Sequence, residues 1–596
     1  MRNKRIAFTL TALVLVLSLL LSGCGLIAGL SGLGVMLGAV AEEMENSSLE
    51  STAPDGPLSN GDYERLEESY LPAVPFSELS YERVDTEVLC SAIGDIQAMA
   101  EQGSSASDMV DAFDALYPDY VFFHTMGNYA YIRYTLDLSD SYYDEEYNWY
   151  EEQSPLVEQA FEKCYIAMAK CDEREDLEEQ YFGEGFFAYY DENQVYSNDL
   201  VVELMQEESS LQNEYMALQN EMTILWQGEE YLMDELLNDD SLSDEEYWEV
   251  LSLYYEKYAP LAAEVYIELI GVRKEIAQVL GYESYAHFAY EFYYYRDYTP
   301  EQVAVYVDEI ASCLSPYYYD AVYGSYSDYM SSETVLSTLK NVAHQCGGEI
   351  AAAYDYMTEY ELYDISSSPS KMPGSYATYL SSYGMPYMYV SPTEDIGDAL
   401  TAVHEFGHFV DGYINCDYTY SIDCAEVFSQ GLEYLSLDKM GLSSREEQSL
   451  TVSKLSDSLL VFLSQGCYAD FEQQVYALPE EELTAENISA IFLECNEKFG
   501  MGAYGYEDIL GPGWIDIQHF FIAPFYVISY CVSNDVAMQI YQQELAEGSG
   551  LTAYYELLYL AADNTLVSML EEADMASPFE EGRMDVLASF FDENLY

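Results

Sequence analysis

Five residues, His404-Glu405-Phe406-Gly407-His408, constrain this chain more than any others. Two imidazoles four positions apart share a face, one turn apart, when the segment is an α-helix. Their ring nitrogens can then converge on one Zn²⁺, and Glu405 beside them can take a proton from a water held there. The pattern therefore asks for a helix, and for a second element that brings a third donor against it. The chain has only six histidines, so two at this spacing around a Glu are not expected by chance. A plainer reading, a surface helix with two ordinary histidines, is decided by what lies downstream.

A catalytic zinc takes three protein donors and leaves one position for water. No histidine follows until His519. The best third donor is Glu426, in Asp423-Cys424-Ala425-Glu426-Val427-Phe428-Ser429-Gln430-Gly431-Leu432-Glu433. On a helix Glu426, Ser429, Gln430 and Glu433 share one face. Asp423 could accept the far ring N–H of a ligand histidine and fix its tautomer. The competing reading is a solvated acidic face, which composition favours: the chain carries 108 acidic against 20 basic residues.

A formal charge of −88 excludes the basic footprint that nucleic-acid binding needs, and disfavours electrostatic attachment to anionic lipid. Such a field attracts cations and basic peptides and repels acidic ones, while the plainer and weightier reading is a solubilising surface for an exposed protein. Half of the residues are hydrophobic, so the chain folds rather than remaining an acidic tail. Its 596 residues are too many for one simple core and imply two lobes or domains. Tyrosine is frequent, at 62, which suits half-buried surfaces with rings packed and hydroxyls wet.

The first residues read as an address. Arg2, Lys4 and Arg5 precede an apolar run from Ile6 to Leu20, then Leu21-Ser22-Gly23-Cys24. These four residues resemble the bacterial lipobox, in which the cysteine becomes a lipidated first residue. The uncharged stretch continues to Ala41, long enough for an uncleaved membrane anchor as the alternative. Either reading sets the folded part outside the cytoplasmic membrane. Ten further cysteines are scattered without a C-x-x-C pair, so a cysteine zinc site is unsupported, and in an exported protein some can be bridged.

Residues 1–23 are thus expected to be a lipoprotein signal peptide and 24–62 a lipidated Cys24 with a flexible, Ser/Glu/Pro/Gly-rich tether. An N-terminal helical lobe follows over 63–240, and the catalytic region over 241–596. Asn198 to Leu237 has helical spacing of Leu204, Leu211, Met216, Leu218 and Met222. Ser243 and Glu246 form a capping box for another helix, with Pro260 as a break or kink. Tyr376 to Leu380 and Pro386 to Val390 read as the strands of a small hairpin around Gly384. Pro392, Thr393 and Asp395 then offer caps for the histidine helix.

These blocks resemble the thimet oligopeptidase and oligoendopeptidase F family of zinc metallopeptidases. Members carry H-E-x-G-H, then an acidic residue, a ligand Glu and a Ser-Gln pair; here these are His404 to His408, Asp423, Glu426, Ser429 and Gln430. Gly281 to Ala286 with Arg296-Asp297-Tyr298-Thr299 is similar to the family's upstream segment. His519 to Tyr530 is similar to its H-F-x…F-Y-V-Y-x-Y block, with Ile528 where a Tyr is common. The resemblance implies His404, His408 and Glu426 as ligands of one Zn²⁺ and Glu405 as general base. It implies that His519, Tyr526 and Tyr530 bind the substrate carbonyl. It also implies a mainly α, two-lobed, neurolysin-like fold with a deep channel and a small β-sheet beside the metal helix. Short peptides would be the substrates, with a lipid anchor to the membrane, no nucleic acid and no protein partner. Two alternatives stay open: a peptide-binding lipoprotein that does not cut, and a zinc carboxypeptidase of similar helical fold.

Overall fold

The computed structural model describes residues 71–595, except 184–185, 188–189, 191–197, 221, 234–235, 237–241, 325, 417–420 and 503–506. The signal peptide and tether expected over 1–62 lie outside the described residues. The fold is mainly helical, 73% of it, with two small sheets among the described residues. Helices α1 (Thr86–Gln102), α2 (Ala106–Leu136) and α3 (Ser141–Lys170) are followed by α4 (Asp199–Asn220). Strands β1 (Thr223–Trp226) and β2 (Glu229–Leu232) lead into α5 (Asp244–Leu280). After further helices come β3 (Tyr363–Ile365), β4 (Gly374–Leu380) and β5 (Met385–Ser391). The site is then built on α6 (Asp398–Asn415), α7 (Ile422–Ser436), α8 (Ser444–Ala477) and α9 (Ile528–Glu547).

Buried apolar side chains form two clusters. The smaller runs from Leu89 to Tyr190 and is supplied by α1, α2, α3 and the segment after them. The larger takes in nearly all of those from Val201 onward, together with Phe76, Leu79 and the far end of α2. Leu204, Leu211 and Tyr215 of α4 belong to this large cluster, and α4 packs along α5.

Helix α5 starts at the expected capping box: Ser243 Oγ accepts from Glu246 N, and Glu246 accepts from Ser243 N at 2.9 Å. It does not break at Pro260. That residue and Glu256, whose carbonyl loses its partner there, are both exposed, so water can satisfy the group and packing on the other face carries the helix through. The helix expected over 198–237 ends earlier, at Asn220. Thr223-Ile224-Leu225-Trp226 pairs antiparallel with 229–232 across Gln227-Gly228, both at positive φ, the backbone a two-residue hairpin turn requires.

The expected hairpin is present as β4 and β5, antiparallel with Tyr376 opposite Tyr389; β3 adds a parallel strand on the far side of β5. The sheet lies against α6, and α2 holds β4 through Asn128 Nδ2, which donates to Tyr379 O at 2.9 Å. Many tyrosines are buried outright, contrary to wet hydroxyls. Tyr215 donates to Ile515 O, Tyr294 to Pro524 O and Tyr298 to Asp423, so their hydroxyls tie helices to loops. The ten described cysteines are free thiols, and no pair is bridged among the described residues. No described helix is long and apolar enough to cross a membrane.

Candidate metal centre

Helix α6 is preceded by a turn built from carboxylates. Asp395 Oδ1 accepts from Gly397 N at 2.8 Å, and Asp398 accepts from the N–H groups of Thr393 and Asp395 at 3.1 and 3.0 Å. Pro392, Thr393 and Asp395, offered as caps, do not cap the helix: its N-cap is Gly397, which makes no side-chain capping hydrogen bond, and Thr393 and Asp395 instead shape the turn before it together with Asp398. Helix α7 lies against α6 on one side and α9 on the other. The approach of α6 and α7 is closest at Gly407: a Cβ there would sit 2.5 Å from Ser429 Cα and 2.7 Å from Phe428 O. The Gly of the five-residue motif is therefore what lets the helix carrying Glu426 reach the one carrying the histidines.

The three expected donors come together. His404, His408 and Glu426 each offer one atom, and these atoms lie within 4.8 Å of one another. Glu426 Oε2 is 3.5 Å from His404 Nε2 and 3.9 Å from His408 Nε2. These are close to the ~3.4 Å edge of a tetrahedron with ~2.1 Å bonds. Glu426 is fully buried, and its Oε2 also accepts from Ser429 Oγ at 3.0 Å. Gln430 Nε2 donates to Ser533 Oγ of α9 at 2.9 Å.

The carboxylate behind His404 is Glu433, not Asp423. Glu433 Oε1 lies 2.9 Å from His404 Nδ1, and Lys454 Nζ of α8 is 2.8 Å from Glu433 Oε2. A proton on Nδ1 then leaves the Nε2 lone pair for a metal. Burial alone would lower His404; the hydrogen bond to Glu433 and the charges of Glu426, Glu433 and Glu405 outweigh it and raise it to about 9. Burial would raise Glu433, but Lys454 and His404 hold it below the usual carboxylate range. Burial, with His404 alongside, pushes His408 well down, so it stays neutral. Asp423, one turn before Glu426, has other partners. It accepts from Tyr298 Oη at 2.8 Å and sits 3.4 Å from Arg296 Nε. Glu433 was visible in the sequence as part of the Glu426 face; its task was not.

Glu405 is 2% exposed; burial is the main cause that pushes it up to about 7, with a hydrogen bond from Ser375 of β4 among the opposing influences. Ser375 is a neighbour that the sequence did not point out. His519, on the short helix Gln518–Ile522, gathers with Tyr526 and Tyr530. The His519 and Tyr526 rings stack at 5.5 Å, and the Tyr526 and Tyr530 rings meet edge-on at 5.3 Å. Tyr526 Oη is 3.5 Å from Glu426 Oε1, which brings this group to the metal donors. Burial pushes His519 down to about 4, and its Nε2 is buried without a hydrogen-bond partner. Ile528, where a Tyr is common, is 1% exposed at the start of α9, packed as an apolar core residue.

The donor chemistry fits zinc. Two neutral-capable imidazole nitrogens and one carboxylate converge. Three carboxylates, Glu405, Glu426 and Glu433, crowd the same buried volume, where a divalent cation would offset their mutual repulsion.

Two sequence models of one family match the chain: the peptidase M3 N-terminal domain over residues 76–195, and peptidase family M3 over 349–584. Oligopeptidase PepF of Bacillus subtilis is 27% identical over 248 residues, 39% of this chain and 36% of that protein. An oligoendopeptidase F homolog of Lactococcus lactis is 25% identical over 230 residues, 37% of each chain. The chain thus aligns with about a third of the length of these curated relatives. In three dimensions, PZ peptidase A solved with an inhibitor superposes with a TM-score of 0.72 at 22% identity, over 87% of this chain and 99% of that one. Oligoendopeptidase-F from Enterococcus faecium gives 0.56 at 17% identity, over 85% and 97%. These likenesses establish a shared fold. The two M3 matches account between them for more than half of the residues, and with the oligoendopeptidase relatives they settle the descent: this chain belongs to peptidase family M3.

Proposed function

We propose that this chain is a zinc-dependent endopeptidase that hydrolyses short oligopeptides outside the cytoplasmic membrane. The observation that carries the proposal is the convergence of His404, His408 and Glu426 beside the buried carboxylate of Glu405. His404, His408 and Glu426 would hold the zinc, which when bound would supply a Lewis acid and lower the pKa of water toward neutrality. Glu405 accepts the proton of the attacking water and returns it to the departing amine. Tyr526, Tyr530 and His519 donate hydrogen bonds as negative charge grows on the scissile carbonyl oxygen, each well-placed donor contributing roughly 3–4 kcal/mol. His519 suits this because it is neutral at physiological pH and keeps one N–H to give. Ser375 and Glu433 orient Glu405 and His404 from behind.

His404, Glu405, His519, Tyr526 and Tyr530 are each at least nine-tenths buried. That supports short unstructured peptides as substrates and disfavours folded proteins. The Arg2, Lys4 and Arg5 start, the apolar run and Leu21-Ser22-Gly23-Cys24 support export and anchoring by acyl chains on Cys24.

Purified protein incubated with a quenched fluorescent peptide is expected to cleave it, to stop with a zinc chelator and to resume with added zinc. Glu405→Gln is expected to keep zinc and lose at least about a hundredfold in kcat. Cleavage that ignores the chelator, or full turnover by Glu405→Gln, would refute the mechanism. Mass spectrometry of the products separates internal cuts from removal of C-terminal residues, and zinc binding without cleavage would mark a peptide-binding protein.

A further inference from the structure

We infer that Arg296 is a positioning residue that sets the Pro524–Tyr526 turn, and with it the Tyr526 and Tyr530 hydroxyls, relative to the helix that carries Glu426. The inference rests on the peptidase reading and names a residue outside the metal set and outside the hydroxyl group itself.

Arg296 lies in the segment after Tyr285–Phe292, far from the site in sequence, and its side chain has no solvent exposure. Its guanidinium works as a cross-brace. Nη1 donates to Phe525 O at 2.9 Å and Nη2 to Ser529 Oγ at 2.8 Å, on the turn and on the first turn of α9. Nε faces Asp423 Oδ2 at 3.4 Å, three residues before Glu426 on α7. The rings of Tyr290 and Tyr294 cover the cation, each with its centroid 4.4 Å from the guanidinium carbon. One planar group thus touches both halves of the site: the helix of the ligand carboxylate and the turn that presents the tyrosines.

The turn needs such a brace. Phe525 has φ +64°, the left-handed region that a bulky aromatic residue adopts only where its surroundings hold it. Each backbone group around it is taken. Glu472 Oε1 accepts from Phe525 N at 2.8 Å, Tyr294 Oη donates to Pro524 O at 2.8 Å, and Arg296 holds Phe525 O. The next residue is Tyr526, whose hydroxyl is 3.5 Å from Glu426 Oε1. A shift of the turn therefore moves that hydroxyl directly. Lysine keeps the charge but lacks the planar fork that donates to Phe525 O and Ser529 Oγ at once while Nε pairs ionically with Asp423.

The test compares zinc-loaded wild type with Arg296→Lys, Tyr526→Phe and the double variant. Arg296→Lys is expected to keep one zinc per chain and to lose at least about tenfold in kcat while KM changes less than about threefold. In the Tyr526→Phe background the same change is expected to cost less than about twofold, because the hydroxyl it positions is gone. Crystals of Arg296→Lys are expected to show the Tyr526 hydroxyl displaced from Glu426. An equal loss in both backgrounds, a change confined to KM, or an unmoved turn would overturn the inference. Should Arg296→Lys fail to fold, Ser529→Ala removes one arm of the brace and keeps the ion pair. It is expected to lower kcat about threefold, with the same non-additivity toward Tyr526→Phe; wild-type kcat in Ser529→Ala would then assign Arg296 to stability alone. Wild type that cleaves nothing would sink the peptidase reading instead, and the crystal comparison would still decide the positioning.

Discussion

At the scale of single residues, the division of labour among four carboxylates is a matter of which way each one faces. Glu426 meets both imidazoles, Glu433 meets the back of His404, Asp423 meets Arg296, and Glu405 sits beside the donors under Ser375. Glu433 is charged because Lys454 and His404 outweigh its burial. A charged acceptor makes the opposite ring nitrogen a better donor to a metal. Glu433→Gln keeps an acceptor oxygen and loses the charge, so zinc affinity is expected to fall about tenfold, read by competition with a chromophoric chelator. Unchanged affinity would reduce the contact to packing. The face bearing Glu426 and Glu433 was legible from spacing, as were the two histidines. Assigning the second carboxylate to Asp423 failed for a physical reason: which acid meets His404 is set by the crossing of α6 and α7, and no periodicity along one helix encodes a crossing.

At the scale of elements, that crossing depends on Gly407. The atoms a Cβ would strike are backbone, Ser429 Cα and Phe428 O, and cannot rotate away. Gly407→Ala is therefore expected to force the helices apart, at a cost of about 1–3 kcal/mol, and to weaken zinc binding because Glu426 moves with Ser429. Gly94 in α1 is the control: it is exposed, and a Cβ there meets nothing within 4 Å, so Gly94→Ala should stabilise by up to about 1 kcal/mol. Denaturation midpoints for the pair check both signs, and a harmless Gly407→Ala would remove the close approach from the account. Elements whose own residues specify them were readable, as with the α5 capping box and the β4–β5 hairpin. The β1–β2 hairpin was missed because Leu and Met at helical spacing run up to it, and its turn, Gln227-Gly228, lacks the usual Asn or Asp. The helix runs unbroken past Pro260 because the cost of proline in a helix depends on whether the abandoned carbonyl meets water, which is decided by the fold.

At the scale of the whole molecule, the formal charge of −88 and the buried charges act on different quantities. The exterior field acts on encounter: kcat/KM for a lysine-rich peptide is expected to exceed that for its glutamate-rich counterpart, with the ratio shrinking from about 20 to 500 mM salt. A salt-independent ratio would assign the preference to local contacts instead. The interior acts on stability, and Glu472 of α8 is a buried carboxyl through which pH reaches it. It holds Phe525 N–H through Oε1, while Oε2 is buried with no hydrogen-bond partner. Burial pushes its carboxyl up to about 8, although Phe525 N–H, Arg273 and Arg296 all pull it down. Arg273 is itself spent on Glu208, Tyr476 and the carbonyls of Phe520 and Phe521, so it cannot close on Glu472. In the unfolded chain the same carboxyl ionises near ~4.3. Between these values the folded chain keeps a proton that the unfolded chain has lost, so stability falls as pH rises through the window, and the loss is complete above about 8. Glu472→Gln keeps the acceptor for Phe525 and cannot ionise. Its stability relative to wild type is expected to climb from pH 5 to pH 8 by an amount on the order of a few kcal/mol and then level off, measured by chemical denaturation. Parallel curves for the two proteins would mean that the Glu472 proton does not enter the folding equilibrium, and that the turn bearing Tyr526 is secured by Arg296 and Tyr294 without it.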